Sequence, residues 1–442
     1  MREQIALINL RPVWARLPLV LLALAALAAS WYGMRWMIGD TMAEAAPLSY
    51  QNDPQASFET AEAAARLAPH DPLAYLTLAR LHRYSFDPEM LPRALSEYEQ
   101  AAALAPNDYL LWTELGRARA TAGDIEGGVA ALRRAVALAP NYAEQRWHLG
   151  NVLLRAGRNE EAFAELRRAG DADPDKYRPP VFNLAWQLYG PDMDRVMDAV
   201  GKTPEARGYL VGVLLGRNRL EDALKIWAGL GVEGRHAQSA AGERLAGTLY
   251  AQGQYKRAAQ VLAEAGRQDI SAEQFSNGNF ESDMGAAGQL FRWQVTQVAG
   301  ARIALDARVA HTGTRSLLVV FDASNHVEFR NVWQAVAVEP STHYRLTYFV
   351  RTDSLNTAAS LVTVVADAAS ETADALAASQ PVPTGTNDWQ QVALEFTTGP
   401  KTEGVAVRVV RAGCATGACP AYGKIWYDDF DLQRAAGRAP SR

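Results

Sequence analysis

Cysteine is almost absent from this chain: Cys414 and Cys419 are the only two among 442 residues. Two thiols can build neither a four-thiolate zinc site nor a disulfide-dense scaffold. Histidine is scarce as well, and the seven present show no HExxH or HxH spacing, so metal chemistry would fall to carboxylates. A positive excess is also missing, because 44 Lys and Arg against 49 Asp and Glu leave a net charge of −5. That excludes a nucleic-acid binder relying on overall charge. The chain has no GxxxxGK phosphate loop, no GxSxG elbow and no Cys/His pair in a nucleophile context. These absences point to a non-catalytic protein with no nucleic-acid partner. What is present is ordinary for folded protein, 49% apolar and 21% charged, and too long for one small core, so two or three folded units are expected.

The one long apolar run is LPLVLLALAALAASWYGMRWMI, residues 17–38, broken only by Arg35. At about 1.5 Å per residue it nearly matches a hydrocarbon core of about 30 Å, with Arg35 free to snorkel. Trp14 before it and Trp31, Tyr32 and Trp36 near its end suit the two interfaces, and Arg2, Arg11 and Arg16 mark a cytosolic side. The expectation is a cytosolic tail over 1–16, a membrane helix over 17–38 and a linker over 39–52. A cleaved signal peptide is the alternative, since Ala26-Leu27-Ala28 and Ala28-Ala29-Ser30 are small-residue sites after an apolar run. Both readings send the chain across the membrane, where Cys414 and Cys419, with four residues between them, can close a small disulfide. A free-thiol role is the competing reading.

From residue 53 to 266 the chain repeats itself. ALAPN occurs at 103–107 and 137–141, and Pro106, Pro140 and Pro174 stand 34 apart. The same interval relates Leu115-Gly116 to Leu149-Gly150 and Ala122-Gly123 to Ala156-Gly157. Small residues recur where paired helices would cross: Ala79, Gly116, Gly150 and Ala246 in first helices, and Ala94, Gly128, Ala162, Ala223 and Ala258 in second helices. This pattern resembles the tetratricopeptide repeat family, which implies an all-α solenoid of helix pairs with a concave surface that holds peptide segments or partner proteins. The match is uneven, with extra residues near Ser85-Phe86-Asp87-Pro88 and a failure of the pattern from Asp175 to Thr203. Projection of the helical period places Arg80, Arg83, Arg117, Asn151 and Arg155 towards the concave side, with Trp147 nearby. Such a groove favours an acidic peptide or an anionic glycan; otherwise these arginines solvate exposed helix faces.

A linker over 267–274 leads into eight short runs with strand character: near Arg302 to Ala307, Ser316 to Phe321, Val332 to Val338, Tyr344 to Arg351, Leu361 to Ala366, Trp389 to Phe396, Val405 to Val410 and Lys424 to Leu432. In one of them Tyr344, Leu346, Tyr348 and Val350 share a face, as period-two alternation requires. Eight runs in about 160 residues predict a β-sandwich. The segments SNGNFES, HTGTRSLLVVF, YRLTYFVRT, DWQQVALEF and IWYDDFDL occur in this order and resemble carbohydrate-binding-module-like jelly rolls, also called galactose-binding-like, over 275–433, followed by a flexible tail over 434–442. The resemblance implies a structural calcium ion held by Asn279, Glu281 and Asp429, the alternative being ordinary strand-edge charges. It also implies sugar stacking on exposed rings, for which Trp293, Phe329, Trp333 and Trp389 are the candidates, while Trp426 looks like core. Burial between the sheets is the competing account of each ring.

The fold class expected is therefore multidomain: a transmembrane helix, an all-α repeat solenoid and an all-β jelly-roll sandwich. The combination looks like membrane-anchored tetratricopeptide proteins of bacterial envelope polysaccharide systems, such as O-antigen or exopolysaccharide assembly and export. That resemblance implies a single-pass inner-membrane protein, N-terminus cytosolic and bulk periplasmic, with a protein partner in the groove and a polysaccharide on the sandwich. A purely protein-protein scaffold for secretion or division machinery is the alternative, and a hydrolase with an undetected site is a third.

Overall fold

The computed structural model describes residues 13–85, 87–190, 192–284, 288–323, 327–370, 374–411 and 419–435. The chain divides into two compact units, residues 1–201 and 202–442. Each is built by different means.

In the first unit the helices are α1 Val13–Ser49, α2 Pro54–Leu67, α3 Pro72–Tyr84, α4 Leu91–Leu104, α5 Tyr109–Thr121, α6 Ile125–Leu138, α7 Ala143–Arg155, α8 Asn159–Ala172, α9 Pro174–Tyr189 and α10 Met193–Val200. Aspartates start many of them: the side chains of Asp53, Asp71, Asp108, Asp124 and Asp173 each accept a main-chain N–H of the following first turn. Each cap satisfies a donor the helix cannot, a contribution of about 1 kcal/mol. Gly123 and Gly157, 34 apart, turn the chain between paired helices at φ +94° and +73°, a region glycine enters without strain.

The predicted small residues are where helices cross. A Cβ on Gly116 would fall 2.6 Å from Leu132 Cγ, and one on Gly128 would fall 2.9 Å from the Gly116 carbonyl oxygen, so α5 and α6 approach as closely as backbones allow. Gly150 against Leu166 repeats this between α7 and α8. Ala79, Ala94 and Ala162 are buried in the same roles. Tyr98, Leu115, Leu132, Leu149 and Leu166 fill the space between pairs.

Over residues 175–203, where the 34-residue sequence pattern fails, helices α9 and α10 still form. Pro179 and Pro180 lie inside α9, where each removes a main-chain donor, and they hide the helix from a periodicity search. The apolar helix also does not stop at Ile38. α1 runs unbroken to Ser49, so most of the expected linker is helix. The extra residues before α4 contain a 3₁₀ turn at Pro88–Met90; Phe86 lies outside the described residues.

The second unit opens with α11 Pro204–Gly216, α12 Leu220–Ala228, α13 Val232–Ala237, α14 Ser239–Ala251 and α15 Tyr255–Glu264. The strands follow: β1 Gln294–Val295, β2 Ala301–Asp306, β3 Ser316–Ala323, β4 Val332–Ala337, β5 His343–Thr357, β6 Leu361–Asp367, β7 Ala377–Ala378, β8 Gly385–Thr397, β9 Gly404–Arg411 and β10 Ala421–Arg434. All eight predicted strands are present. β1 and β7 add two residues each at sheet edges.

The strands form two antiparallel five-stranded sheets, β1-β4-β9-β6-β7 and β2-β3-β10-β5-β8. Inward positions such as Leu317, Val319, Tyr344, Leu346, Tyr348, Val405, Val407, Ile425 and Tyr427 close the core between them. The pair α14 and α15 packs against the first sheet. Tyr255 donates its hydroxyl to the Ala368 carbonyl at 2.7 Å, its ring leaves no room for a Cβ on Gly404, and Lys256 pairs with Glu339 at 2.8 Å. Tyr250, Tyr255 and Phe291 meet edge to face beside them. The compact unit that holds the sandwich begins at Lys202 and includes these helices.

Candidate functional site

Two surfaces gather the predicted residues. On the first helices of the repeats, three arginines converge on one carboxylate. Glu114 of α5 lies 2.9 Å from Arg83, 3.5 Å from Arg117 and 3.8 Å from Arg80. One negative charge among three positive ones leaves a local excess of two. Next along the array, burial lowers the readiness of His148 to protonate, and the charge of Arg117 adds to this. Glu114 and His148, 34 apart and so at the same repeat position, were missed by the projection although the period contains them.

The other groove candidates are engaged differently. Arg155 donates to the Ala120 carbonyl near the end of α5, and the Asn151 amide donates to the Trp147 carbonyl within its own helix. Each thus has one main-chain oxygen as a partner, with Arg155 exposed and Asn151 half-buried. The Trp147 ring packs on Tyr177, with centroids 5.5 Å apart.

On the sandwich, the four aromatic candidates separate. Trp293 and Phe329 are 2% and 0% exposed and belong to the core, Trp293 stacking on Phe275 and meeting Phe430 edge-on. A ring enclosed this way offers no face to a sugar, so both are withdrawn as ligand contacts. Trp333 is half-buried on the first sheet, with the Arg408 guanidinium over its ring at 5.5 Å. Trp389, half-buried on β8, points to the outer side of the second sheet, where it joins residues that the sequence reading passed over.

That outer side carries a compact aromatic group. His311 stacks on Phe349 with centroids 3.6 Å apart and meets the edge of Trp389 at 5.6 Å. Phe349 is legible in hindsight: it stands between Tyr348 and Val350, both inward, so alternation turns it outward. The His311 ring is held by Asp429, to whose Oδ2 its Nδ1 donates at 2.7 Å. Beneath it, the fully buried Asp428 carboxylate accepts the N–H groups of His311, Thr312 and Asp429. Burial raises its readiness to hold a proton, the neighbouring Asp429 charge acts the same way, and the three N–H donors oppose both. Asp429 itself has φ +52° inside the bulge that separates Asp428 from Asp431 in the β5 register. The bulge aims two successive aspartates at the same loop. Further along this face Trp426 is buried but lies outside the inter-sheet core, donating its indole N–H to Asp306 beneath Arg351 and Lys424.

The residues expected to hold calcium have other partners or lie exposed. Glu281 accepts the N–H groups of Thr314 and Arg315 at 2.7 and 2.9 Å and the Thr314 hydroxyl at 2.6 Å, which together hold its carboxyl below the usual range. Asp429 is spent on His311 and on the Thr312 hydroxyl, and Asn279 is exposed. Among the described residues no group of three or more His, Cys, Asp or Glu side chains converges for a metal. Cys419 is disulfide-bonded; Cys414, the partner expected from sequence, lies outside the described residues.

Comparison with known proteins agrees with the two architectures. Residues 272–413 match the Carbohydrate binding domain family, and residues 119–185 match the Tetratricopeptide repeat family. No curated protein matches the chain. Solved structures similar to it include MamA from Desulfovibrio magneticus RS-1, at 13% identity over 44% of this chain and 92% of that one, with a TM-score of 0.29. Pseudomonas aeruginosa pilF aligns at 14% identity over 53% and 91% of the two chains, with a TM-score of 0.30. TmCBM61, solved with β-1,4-galactotriose, aligns at 18% identity over 37% and 100%, with a TM-score of 0.27. The chain thus carries tetratricopeptide-type helical repeats followed by a carbohydrate-binding-module-like β-sandwich.

Proposed function

We propose that this protein is a non-catalytic, membrane-anchored scaffold of bacterial envelope polysaccharide assembly or export, of the O-antigen or exopolysaccharide kind. In this reading α1 spans the inner membrane over residues 17–38, and the bulk of the chain lies in the periplasm. The repeats hold an acidic segment of a protein partner over Arg80, Arg83 and Arg117, and the sandwich engages the glycan.

The observation that supports it most is the outer face of the second sheet. Trp389 and Phe349 are partly exposed rings flanking an imidazole fixed by a carboxylate, within a segment resembling carbohydrate-binding domains. Flat rings stack on the apolar face of a pyranose, and the polar groups beside them accept and donate to its hydroxyls. Fold alone does not fix a ligand, so the test is direct. Purified chain is run through gels containing envelope polysaccharides. Retardation that disappears in Trp389→Ala supports the reading. Absence of retardation by any such glycan would favour the second one, a protein-protein scaffold of secretion or division machinery. That alternative draws on the arginine-lined repeats alone.

A further inference from the structure

We infer that the membrane helix and the first helix of the repeat array are one unbroken rod, so that the first repeat is seated directly on the bilayer surface, with the α2–α3 turn at the level of the lipid phosphates. This rests on the reading of residues 17–38 as a membrane span. It goes beyond that reading in saying where the protein meets the headgroups and what holds it there.

The two halves of α1 have opposite surroundings. Residues 17–34 are exposed all round and almost wholly apolar, with no protein against them. From Arg35 onward one stripe is covered: Gly39, Ala43 and Ala46 are buried, at spacings of four and three that mark a single helix face. That stripe lies on α2 and α3. A Cβ on Gly39 would fall 2.6 Å from Ala68 Cβ, Ser57 donates its hydroxyl to the Ala46 carbonyl at 2.7 Å, and Thr77 donates to the Ala43 carbonyl at 3.2 Å. This is the packing of a repeat helix pair, with α1 as its first member. Neither glycine nor proline interrupts it: Gly39 lies within the helix, and Pro18 and Pro47 flank the junction without breaking it.

Because α2 runs antiparallel to this half of α1, its C-terminal end returns to the edge of the exposed apolar stretch. Arg35, the one charge in that stretch, donates to the Arg66 carbonyl at 3.3 Å. A guanidinium that would otherwise lie against hydrocarbon is thus turned to the α2 terminus, where the last carbonyls of a helix favour a cation. Residues 17–38 supply about 33 Å of helix at about 1.5 Å per residue, close to the hydrocarbon thickness, so the far boundary falls where Arg35 and Arg66 meet. Arg35, the exposed Arg66, which also pairs with Glu62 at 3.4 Å, and the exposed Pro69 and His70 of the turn would then lie at the phosphate layer.

The test uses the full chain in phosphatidylcholine/phosphatidylglycerol vesicles containing a lipid with a nickel-chelating headgroup. Nitroxide labels are placed through His70→Cys in the α2–α3 turn and, as a control, Thr121→Cys at the C-terminal end of α5, on the opposite edge of the helix pairs. Strong relaxation by the nickel lipid at 70 and none at 121 is expected, and a flexible Gly-Ser insertion between Ile38 and Gly39 should abolish the enhancement at 70 while leaving the chain on the vesicles. Equal relaxation at both positions in vesicle-bound chain overturns the seating, as does an enhancement that survives the insertion. A chain that stays in the supernatant, or whose N-terminus is found by mass spectrometry to start near Ser30, overturns instead the membrane-span reading on which the inference rests.

Discussion

The Tyr255 hydroxyl donates to the Ala368 carbonyl across 113 residues of sequence, joining the last repeat helix to the loop after β6. With the Tyr255 ring over Gly404 and Lys256 paired to Glu339, this seam makes the helix pair part of the sandwich fold. A fragment of residues 202–435 is therefore expected to unfold in one cooperative transition. A fragment starting at residue 275 should unfold at lower denaturant and bind a hydrophobic dye through the uncovered sheet. Tyr255→Phe should cost about 1 kcal/mol in the longer fragment, the usual worth of one such bond, as read by urea denaturation.

Glycines in the helices should respond in opposite directions. Gly116→Ala forces a Cβ into Leu132 and should destabilise the repeats by about 1–3 kcal/mol, as overpacking does. Gly247→Ala, with nothing near its added Cβ, should stabilise α14 by up to about 1 kcal/mol, the difference in helix propensity. Chemical denaturation followed by circular dichroism gives both signs.

The aromatic candidates on the sandwich should separate into binding and stability effects. Trp293→Ala removes an enclosed core ring and should cost about 3–5 kcal/mol of folding stability. Trp389→Ala should leave the melting temperature nearly unchanged and abolish retardation by glycan. Parallel thermal melts and affinity gels on the two variants check this.

Glu114 neutralises part of the arginine group that would receive an acidic partner. Glu114→Gln should tighten binding of a glutamate-rich peptide by about tenfold, or about 1.4 kcal/mol, and the gain should fade at high salt as exposed charges are screened. Calorimetric titration at two ionic strengths is the measurement. Unchanged affinity would mean that the peptide does not use this group.

Asp71 links α3 to a pH dependence. Burial raises its proton affinity above that of an ordinary carboxyl, Asp40 adds to the rise, and the Leu73 N–H it accepts opposes both. A carboxyl with a raised folded-state pKa contributes its stabilisation in full below the ordinary value of about 3.9 and loses it as pH climbs through the raised value. Asp71→Asn keeps an acceptor for Leu73 and removes the charge. The variant should be more stable than the parent at neutral pH, with the difference shrinking towards pH 4 in urea titrations.

Much of this architecture could be read from residue order because it depends on local rules. A 34-residue interval with small residues at crossing points marks helix pairs, and Ala79, Gly116 and Gly150 are buried where that rule puts them. Alternation located eight strands, but two-residue strands such as β1 and β7 are too short to alternate. The binding face was less legible. A tryptophan in a strand region looks the same whether it points into the core, as Trp293 does, or outward like Trp389. His311 reaches Phe349 and Asp429 only through pairings more than thirty residues apart, which no local pattern encodes. The hydrogen bonds of Arg155 and Asn151 to main-chain carbonyls were hidden for a related reason: the helical period gives a side chain's direction, not its partner.

With α14 and α15 occupying one end of the first sheet, the sandwich is no longer symmetric between its two exteriors. A polymer lying over Trp389 would run along the side opposite those helices, so the helix pair and a bound glycan would not compete for one surface.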